Sequence, residues 1–199
     1  MSTVKSKKLQ VGTDASASNN FTIYQPAVPD GTLRIGVGNA DSPTEVGKFN
    51  SNGYVATNAP AFSAVISADQ SVSSSTATKV QLDTEFFDTN SNYDNTTNYR
   101  FTPTVAGYYQ VNVTLRTEGT NVSNRVVYIY KNGSNIRVAG VSRYTSNTSE
   151  QVNGSDLIYM NGTTDYIEMY GYISGTSPSF GRYDDYNGCS MSASLVRAV

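Results

Sequence analysis

Carboxylates and tyrosines are the side chains of this sequence best able to do chemistry, because histidine is absent and cysteine occurs once, as Cys189. Without histidine the chain lacks the commonest general base, metal ligand and proton switch. No Ser-His or Cys-His pair is available to activate a nucleophile. Asp83, Asp88 and Asp94 lie close together along the chain, and Asp184 and Asp185 sit between Tyr183 and Tyr186. Loop carboxylates with neighbouring Asn carbonyls are oxygen ligands of the kind calcium takes. No EF-hand spacing accompanies them, so a structural or solvated role is the expectation and no cofactor is assigned. No pair of acids sits in a context that marks a glycosidase. Gly36-Val37-Gly38 marks a turn, and neither a P-loop nor a dinucleotide fingerprint occurs. Binding rather than catalysis is expected.

Tyrosine is the recognition group. The chain has 15 of them and no tryptophan. Tyr144, Tyr172, Tyr183 and Tyr186 fall in or beside polar segments rich in Asn and Ser, with Arg182, Asp184 and Asp185 alongside the last two. An exposed tyrosine offers a flat apolar plate and a hydroxyl at small entropic cost. Such plates, with amides and carboxylates nearby, suit stacking against sugars, so these seven residues form the candidate ligand-binding set and a host-surface glycan the candidate ligand. Many of the other tyrosines are expected to pack, Tyr109 among them. Lys5, Lys7 and Lys8 make a small basic start, read as a solvated terminus or as a peg for an acidic partner. Asn95, Asn121, Asn147 and Asn161 match the glycosylation triplet, which arises by chance in so Asn- and Thr-rich a chain.

The elements that must position these residues are strands. In Asn98 to Glu118, Tyr109, Val111, Val113 and Leu115 alternate with Gln110, Asn112, Thr114 and Arg116. A period of two buries one face of a strand and wets the other, and the segment reads as an edge-to-core hairpin with a turn at Ala106-Gly107. Helical periodicity is almost absent. Short strand-like pieces occupy residues 1–58, at Leu9–Val11, Phe21–Tyr24, Thr32–Val37, Glu45–Phe49 and Tyr54–Val55. Asp30-Gly31, Gly38-Asn39, Asp41-Ser42-Pro43 and Asn52-Gly53 separate them. That piece has few large apolar residues for its length, and intertwining with further copies of itself would supply the missing core.

From residue 59 onward the strands are longer and better patterned, at Phe62–Ile66, Lys79–Phe87, Tyr108–Arg116, Val126–Tyr130, Ile136–Val141, Leu157–Met160, Tyr166–Ile173 and Cys189–Leu195. Asn132-Gly133 reads as a hairpin turn. Eight or more strands with no helical crossover imply two antiparallel sheets in a jelly-roll or related sandwich. Cys189, in phase with Met191 and Ala193, is expected to be a buried, inert thiol.

Composition narrows the class. Charged residues make up 15% of the chain and the net charge is −2, so no basic surface for nucleic acid is expected. No stretch approaches the roughly 20 apolar residues of a membrane-spanning helix. The start, MSTVKSKKLQVG, has lysines but no apolar run after them and does not read as a secretory signal. Particle release by lysis is the export route that expectation favours.

Several segments of residues 60–199 resemble the globular C1q-like domain of the C1q and tumour-necrosis-factor superfamily. PAFSAVIS at 60–67 is similar to its first strand, and KVQLDTEFFDTNSNYD at 79–94 to its entry into the second strand pair. FTPTVAGYYQVNV at 101–113 resembles its core signature, Lys131-Asn132-Gly133 its turn, and SMSASLVRA its final strand. Asn161–Ile167 departs from the family's Gly-Asp segment, and Ala193 stands where an aromatic residue is common. The resemblance implies a ten-stranded jelly roll that assembles as a compact trimer, and for some members bound calcium. LQVGTDASASNNFTIYQ and GKFNSNGYV resemble short β segments that precede the trimeric heads of bacteriophage fibres.

The expectation is therefore an all-β, C1q/TNF-like antiparallel jelly-roll head at 59–199, trimeric, behind a β-rich anchoring or stalk segment at 1–58. Function follows as a homotrimeric virion structural protein, either a short tail fibre or a capsid fibre or decoration. Its head faces outward from the virion surface toward a host glycan, and residues 1–58 contact other virion proteins. A secreted or cell-surface C1q-like lectin is the alternative. Neither nucleic acid nor membrane insertion enters either reading.

Overall fold

A computed structural model of the chain describes residues 8–16, 19–51, 53–56, 59–182 and 188–199. It divides into two compact units, Met1–Ala59 and Pro60–Val199. Among the described residues there is no α-helix.

The first unit is an antiparallel meander of β1 (Lys8–Val11), β2 (Phe21–Tyr24), β3 (Leu33–Val37), β4 (Thr44–Asn50) and β5 (Gly53–Ala56), paired in chain order. Pleating sends alternate residues to opposite faces, and the register collects the apolar ones. Val11 lies opposite Phe21 and Phe21 opposite Val37; Leu9 lies opposite Ile23 and Ile23 opposite Ile35; Leu33 lies opposite Phe49. The other phase carries Gln10, Thr22, Arg34 and Lys48, with Arg34 ion-paired to Asp30 and Glu45 at 2.6 and 2.8 Å. Asn20, fully buried, ties Asp14 to Asn39.

The second unit is a sandwich. Its strands are β6 (Ala61–Val65), β7 (Gln70–Ser71), β8 (Thr78–Lys79), β9 (Thr84–Asp88), β10 (Tyr93–Asp94), β11 (Arg100–Phe101), β12 (Gly107–Lys131), β13 (Ser134–Ser142), β14 (Glu150–Met160), β15 (Ile167–Phe180) and β16 (Ser190–Ala198). Strand β12 serves both layers. Its first half lies between β14 and β16, and β6 and β9 follow beyond β16. Its second half lies between β13 and β15, whose far edge meets β11, β8 and β7 in turn. The switch between layers falls where Gly119 and Asn121 adopt φ of 137° and 52° and the β15 register slips. The sequence separates this run into two strands because Thr117 to Asn124 interrupts the apolar alternation.

Two further expectations are corrected. Residues 101–116 do not form an edge-to-core hairpin: β11 pairs with β15 in one sheet, while the first half of β12 is central in the other. Gly107 is not a turn residue but the first residue of β12. A Cβ there would meet the Arg197 carbonyl oxygen at 2.3 Å, so β16 can pass only beside glycine. The Asn132-Gly133 turn is as read, with φ of 53° and 76°, the left-handed pair that a two-residue hairpin needs.

The core explains why the signature segments belong together. Phe62 stacks on Tyr93 at 4.6 Å and on Phe101 at 4.5 Å, and Phe101 meets the Tyr109 edge at 5.7 Å. The Tyr109 hydroxyl donates to the Val105 carbonyl at 2.7 Å, satisfying its polar end inside the sandwich. Val111, Val113, Leu115, Val127, Ile129, Met169 and Ile173 continue the core, each almost fully buried. Phe86 and Phe87, placed by sequence in one long strand with Lys79, instead stay about half exposed on the short β9.

Candidate functional site

Each sheet of the sandwich has an outward face with its own chemistry. On the first half of β12, Tyr108, Gln110, Asn112 and Thr114 point away from the core. Their cross-strand partners on β14 are Tyr159, Leu157, Ser155 and Asn153. Tyr108 and Tyr159 lie 5.6 Å apart, ring to ring, and together with Leu157 they are 41–52% exposed. Ser192 and Ser194 extend the face across β16, with the Asn112 amide donating to Ser192 at 3.5 Å. These positions are uncharged, but Arg116 continues the same phase of β12, Arg197 on β16 lies opposite Tyr108, and Lys131 sits 5.6 Å from the Tyr159 ring. At the aromatic end Lys131 donates to the Tyr159 carbonyl at 2.7 Å and pairs with Asp165 at 2.8 Å.

The second face is a tyrosine platform. Tyr128 and Tyr130 on β12 share a phase with Tyr170 and Tyr172 on β15, because Tyr128 lies opposite Tyr170 and Val126 opposite Tyr172. Tyr130 and Tyr170 stack at 3.9 Å, and Tyr128 meets Tyr130 edge-on at 6.2 Å. Lys79 sits 6.0 Å from the Tyr170 ring and pairs with Glu168 at 2.5 Å. Arg100 lies over Tyr166 at 4.4 Å. Burial pushes the Tyr128 and Tyr170 hydroxyls above their usual value, so they remain neutral donors. Half-buried rings with a charged pair alongside can contact a flat apolar ligand face and hydrogen-bond its rim.

At one end of the sandwich the loops are held by Arg125, which is fully buried. Its Nε donates to Thr117 Oγ1 at 3.0 Å and its Nη1 to the Tyr144 carbonyl at 2.7 Å, with Glu150 at 3.4 Å. Glu118 receives Arg116 at 2.8 Å and the Ser149 hydroxyl. The Gly181 N–H donates to the Arg116 carbonyl, and the Arg182 N–H to Asp69 at 2.6 Å.

The sequence-derived set is split by this architecture. Tyr172 belongs to the tyrosine platform. Tyr144, 71% exposed, and the exposed Arg182 stand on the loops tied to residues 116–125. Tyr183, Asp184, Asp185 and Tyr186 lie outside the described residues, as do Lys5 and Lys7. Lys8 is exposed on β1 and donates to the Ala40 carbonyl at 2.6 Å. Tyr128, Tyr130 and Tyr170 were missed. The signal was present as two Tyr-x-Tyr spacings, each placing a tyrosine pair on one strand face.

The candidate calcium ligands build loops. Asp83 accepts from the Ser67 N–H and hydroxyl, and Asp88 from the Tyr93 and Asn90 N–H groups. Asp94 closes the turn that follows it: the Thr97 N–H and Asn98 amide hold its carboxyl well below the usual carboxylate range. Among the described residues no three His, Cys, Asp or Glu side chains gather as metal ligands would.

Solved structures share this sandwich. The globular domain of zebrafish complement 1qA protein superposes with a TM-score of 0.54 at 14% identity, covering 70% of this chain and 98% of its own. The S. frugiperda Eiger TNF superposes with a TM-score of 0.50 at 11% identity, covering 71% and 93%. The chain has a C1q/TNF-like jelly-roll fold. No family model matches the sequence, and no curated protein matches it. At these identities the C1q/TNF-like likeness is one of fold.

Proposed function

We propose that this chain is a homotrimeric virion structural protein, a short tail fibre or a capsid fibre or decoration, whose C1q/TNF-like head attaches to a host-surface glycan. Its work is binding, not catalysis. The observation that carries the trimer is the apolar end of the outward face of β12 and β14, where Tyr108, Leu157 and Tyr159 stand 41–52% exposed. Packing that face against other copies removes aromatic and aliphatic surface from water, with the charges of Arg197, opposite Tyr108, and Lys131, 5.6 Å from the Tyr159 ring, beside it. The tyrosine platform supports the glycan part, because it faces away on the opposite sheet and stays accessible when the first face is covered. Residues 1–58 join the trimer to other virion proteins, with Lys5, Lys7 and Lys8 toward the particle. Their sequence likeness to segments before fibre heads supports that placement.

Sedimentation equilibrium of the full-length protein tests the first part: a trimer is expected, and a monomer at micromolar concentration overturns it. Tyr159→Asp is expected to raise the concentration at which the trimer dissociates by at least tenfold. A host-polysaccharide array tests the second part. Binding that falls at least tenfold in Tyr130→Ala is expected, whereas an array blank for the wild-type trimer removes the glycan and leaves an architectural protein.

A further inference from the structure

Among the described residues, one face of the N-terminal sheet carries exposed apolar side chains in several rows. Phe21 and Leu33 are each 49% exposed, Leu9 59%, Val11 58%, Phe49 45% and Ile23 37%. The register sets these six in adjoining rows across β1 to β4, so the exposed surface is one patch. It amounts to roughly 500 Å², at the top of what a monomer ordinarily shows in one patch and approaching one partner's share of a stable interface. No charged residue occupies these rows; Arg34 and Lys48 take the opposite phase. Among the described residues the fully buried side chains of the unit, Asn20 and Thr22, are polar. At one corner of the face a groove of about 450 Å³ is lined by Leu9, Ile23 and Leu33 together with Tyr24, Gln25 and Thr32.

We infer that this face packs against the same face of further copies of the chain, so that three N-terminal sheets enclose a shared apolar core. A charged partner finds no complementary charge in these rows. An identical face fits, because two uncharged apolar surfaces each lose water on meeting, and the groove can receive a side chain of the neighbouring sheet. A sheet must bury its apolar face against another layer. Here the layer is supplied by copies, in place of a second sheet from the same unit. The inference rests on the trimeric reading of the head, and it turns residues 8–56 from an anchor alone into an assembly element.

The test uses the full-length chain, in which the native thiol Cys189 is buried. Leu33→Cys places a new thiol on the apolar face, and Gln10→Cys places one on the opposite face of the same sheet. In the purified wild-type-like trimer, Leu33→Cys is expected to react with a maleimide at least tenfold more slowly than Gln10→Cys. A short bis-maleimide is expected to join Leu33→Cys chains to one another and to leave Gln10→Cys chains single. Equal labelling rates in a protein that sediments as a trimer overturn this inference and leave the trimeric reading standing. A wild-type protein that sediments as a monomer overturns both. Phe21→Cys, in a neighbouring row, repeats the measurement if Leu33→Cys fails to fold, and the same outcomes decide it.

Discussion

The two units solve the same problem in opposite ways. Both are antiparallel, both alternate apolar and polar residues, and both leave apolar side chains exposed on one sheet face. In Pro60–Val199 the alternate residues of two sheets face each other, and Phe62, Tyr109, Leu115 and Ile129 are each fully buried. In the N-terminal unit a single sheet carries its apolar rows on the outside, and the buried side chains are Asn20 and Thr22, among the described residues. Strand pattern alone does not make a core. A second layer does, and the head contains one because β12 crosses from one sheet to the other.

The largest expected effect tests that contrast directly. Phe62→Ala opens a cavity between Tyr93 and Phe101 and is expected to lower head stability by about 3–5 kcal/mol, read from urea unfolding. Phe21→Ala, at the lowest concentration that can be measured, is expected to change stability by less than about 1 kcal/mol. An equal loss from both would erase the difference between the units.

Next comes the polar junction. Arg125→Ala leaves Glu150 and the Tyr144 carbonyl without their buried donor, an expected cost of about 3–5 kcal/mol. Arg125→Met combined with Glu150→Gln removes charge on both sides and is expected to recover more than half of it. If it recovers none, the network contributes through geometry specific to arginine.

Gly107→Ala is smaller, about 1–3 kcal/mol by overpacking, since β16 has to move off the new methyl group. Thermal unfolding reads it. A neutral result would show that β16 is free to shift at Arg197.

The smallest expected effect is on pH dependence. Burial pushes the Cys189 thiol up to about 12 from 9.0. The native state therefore favours the neutral thiol. Its contribution to stability is complete below pH 9.0 and is lost as pH rises from there toward about 12. Cys189→Ala is expected to flatten part of the alkaline loss, with the rest belonging to buried tyrosines such as Tyr109, whose hydroxyl is also pushed up to about 12. Ellman's reagent at pH 8 is expected to leave native Cys189 unmodified and to react on unfolding. Rapid native labelling would place the last strand in an open, exchanging part of the head.

Much of the strand content was legible because alternation is a local property. Val111 and Val113 announce their face whatever else the chain does, and so do Phe21 and Ile23. The first half of β14 was not legible. Its inward positions include Gly154 and Asp156 and its outward ones Gln151, Asn153 and Ser155, so no apolar rhythm marks it. Arg125 was not legible either. An arginine at a strand start reads as solvated, and only long-range folding brings Thr117, Glu150 and the Tyr144 carbonyl around it. Of the tyrosine platform, sequence singled out Tyr172 for its polar surroundings and passed over Tyr128, Tyr130 and Tyr170, whose spacing looks like any half-buried strand.

By itself, then, the sequence determined that the chain is all-β, where its best strands run, and which side chains of each share a face, because a pleat of period two depends on neighbours alone. It also carried the segments, from PAFSAVIS to SMSASLVRA, whose aromatic residues meet in the core. Only the tertiary structure decided which faces confront each other. That choice depends on pairings such as Tyr108 with Tyr159 and Tyr128 with Tyr170, made between residues dozens of positions apart. It left the apolar rows of the N-terminal sheet, the aromatic end of the β12 and β14 face, and the tyrosine platform on the outside of their sheets.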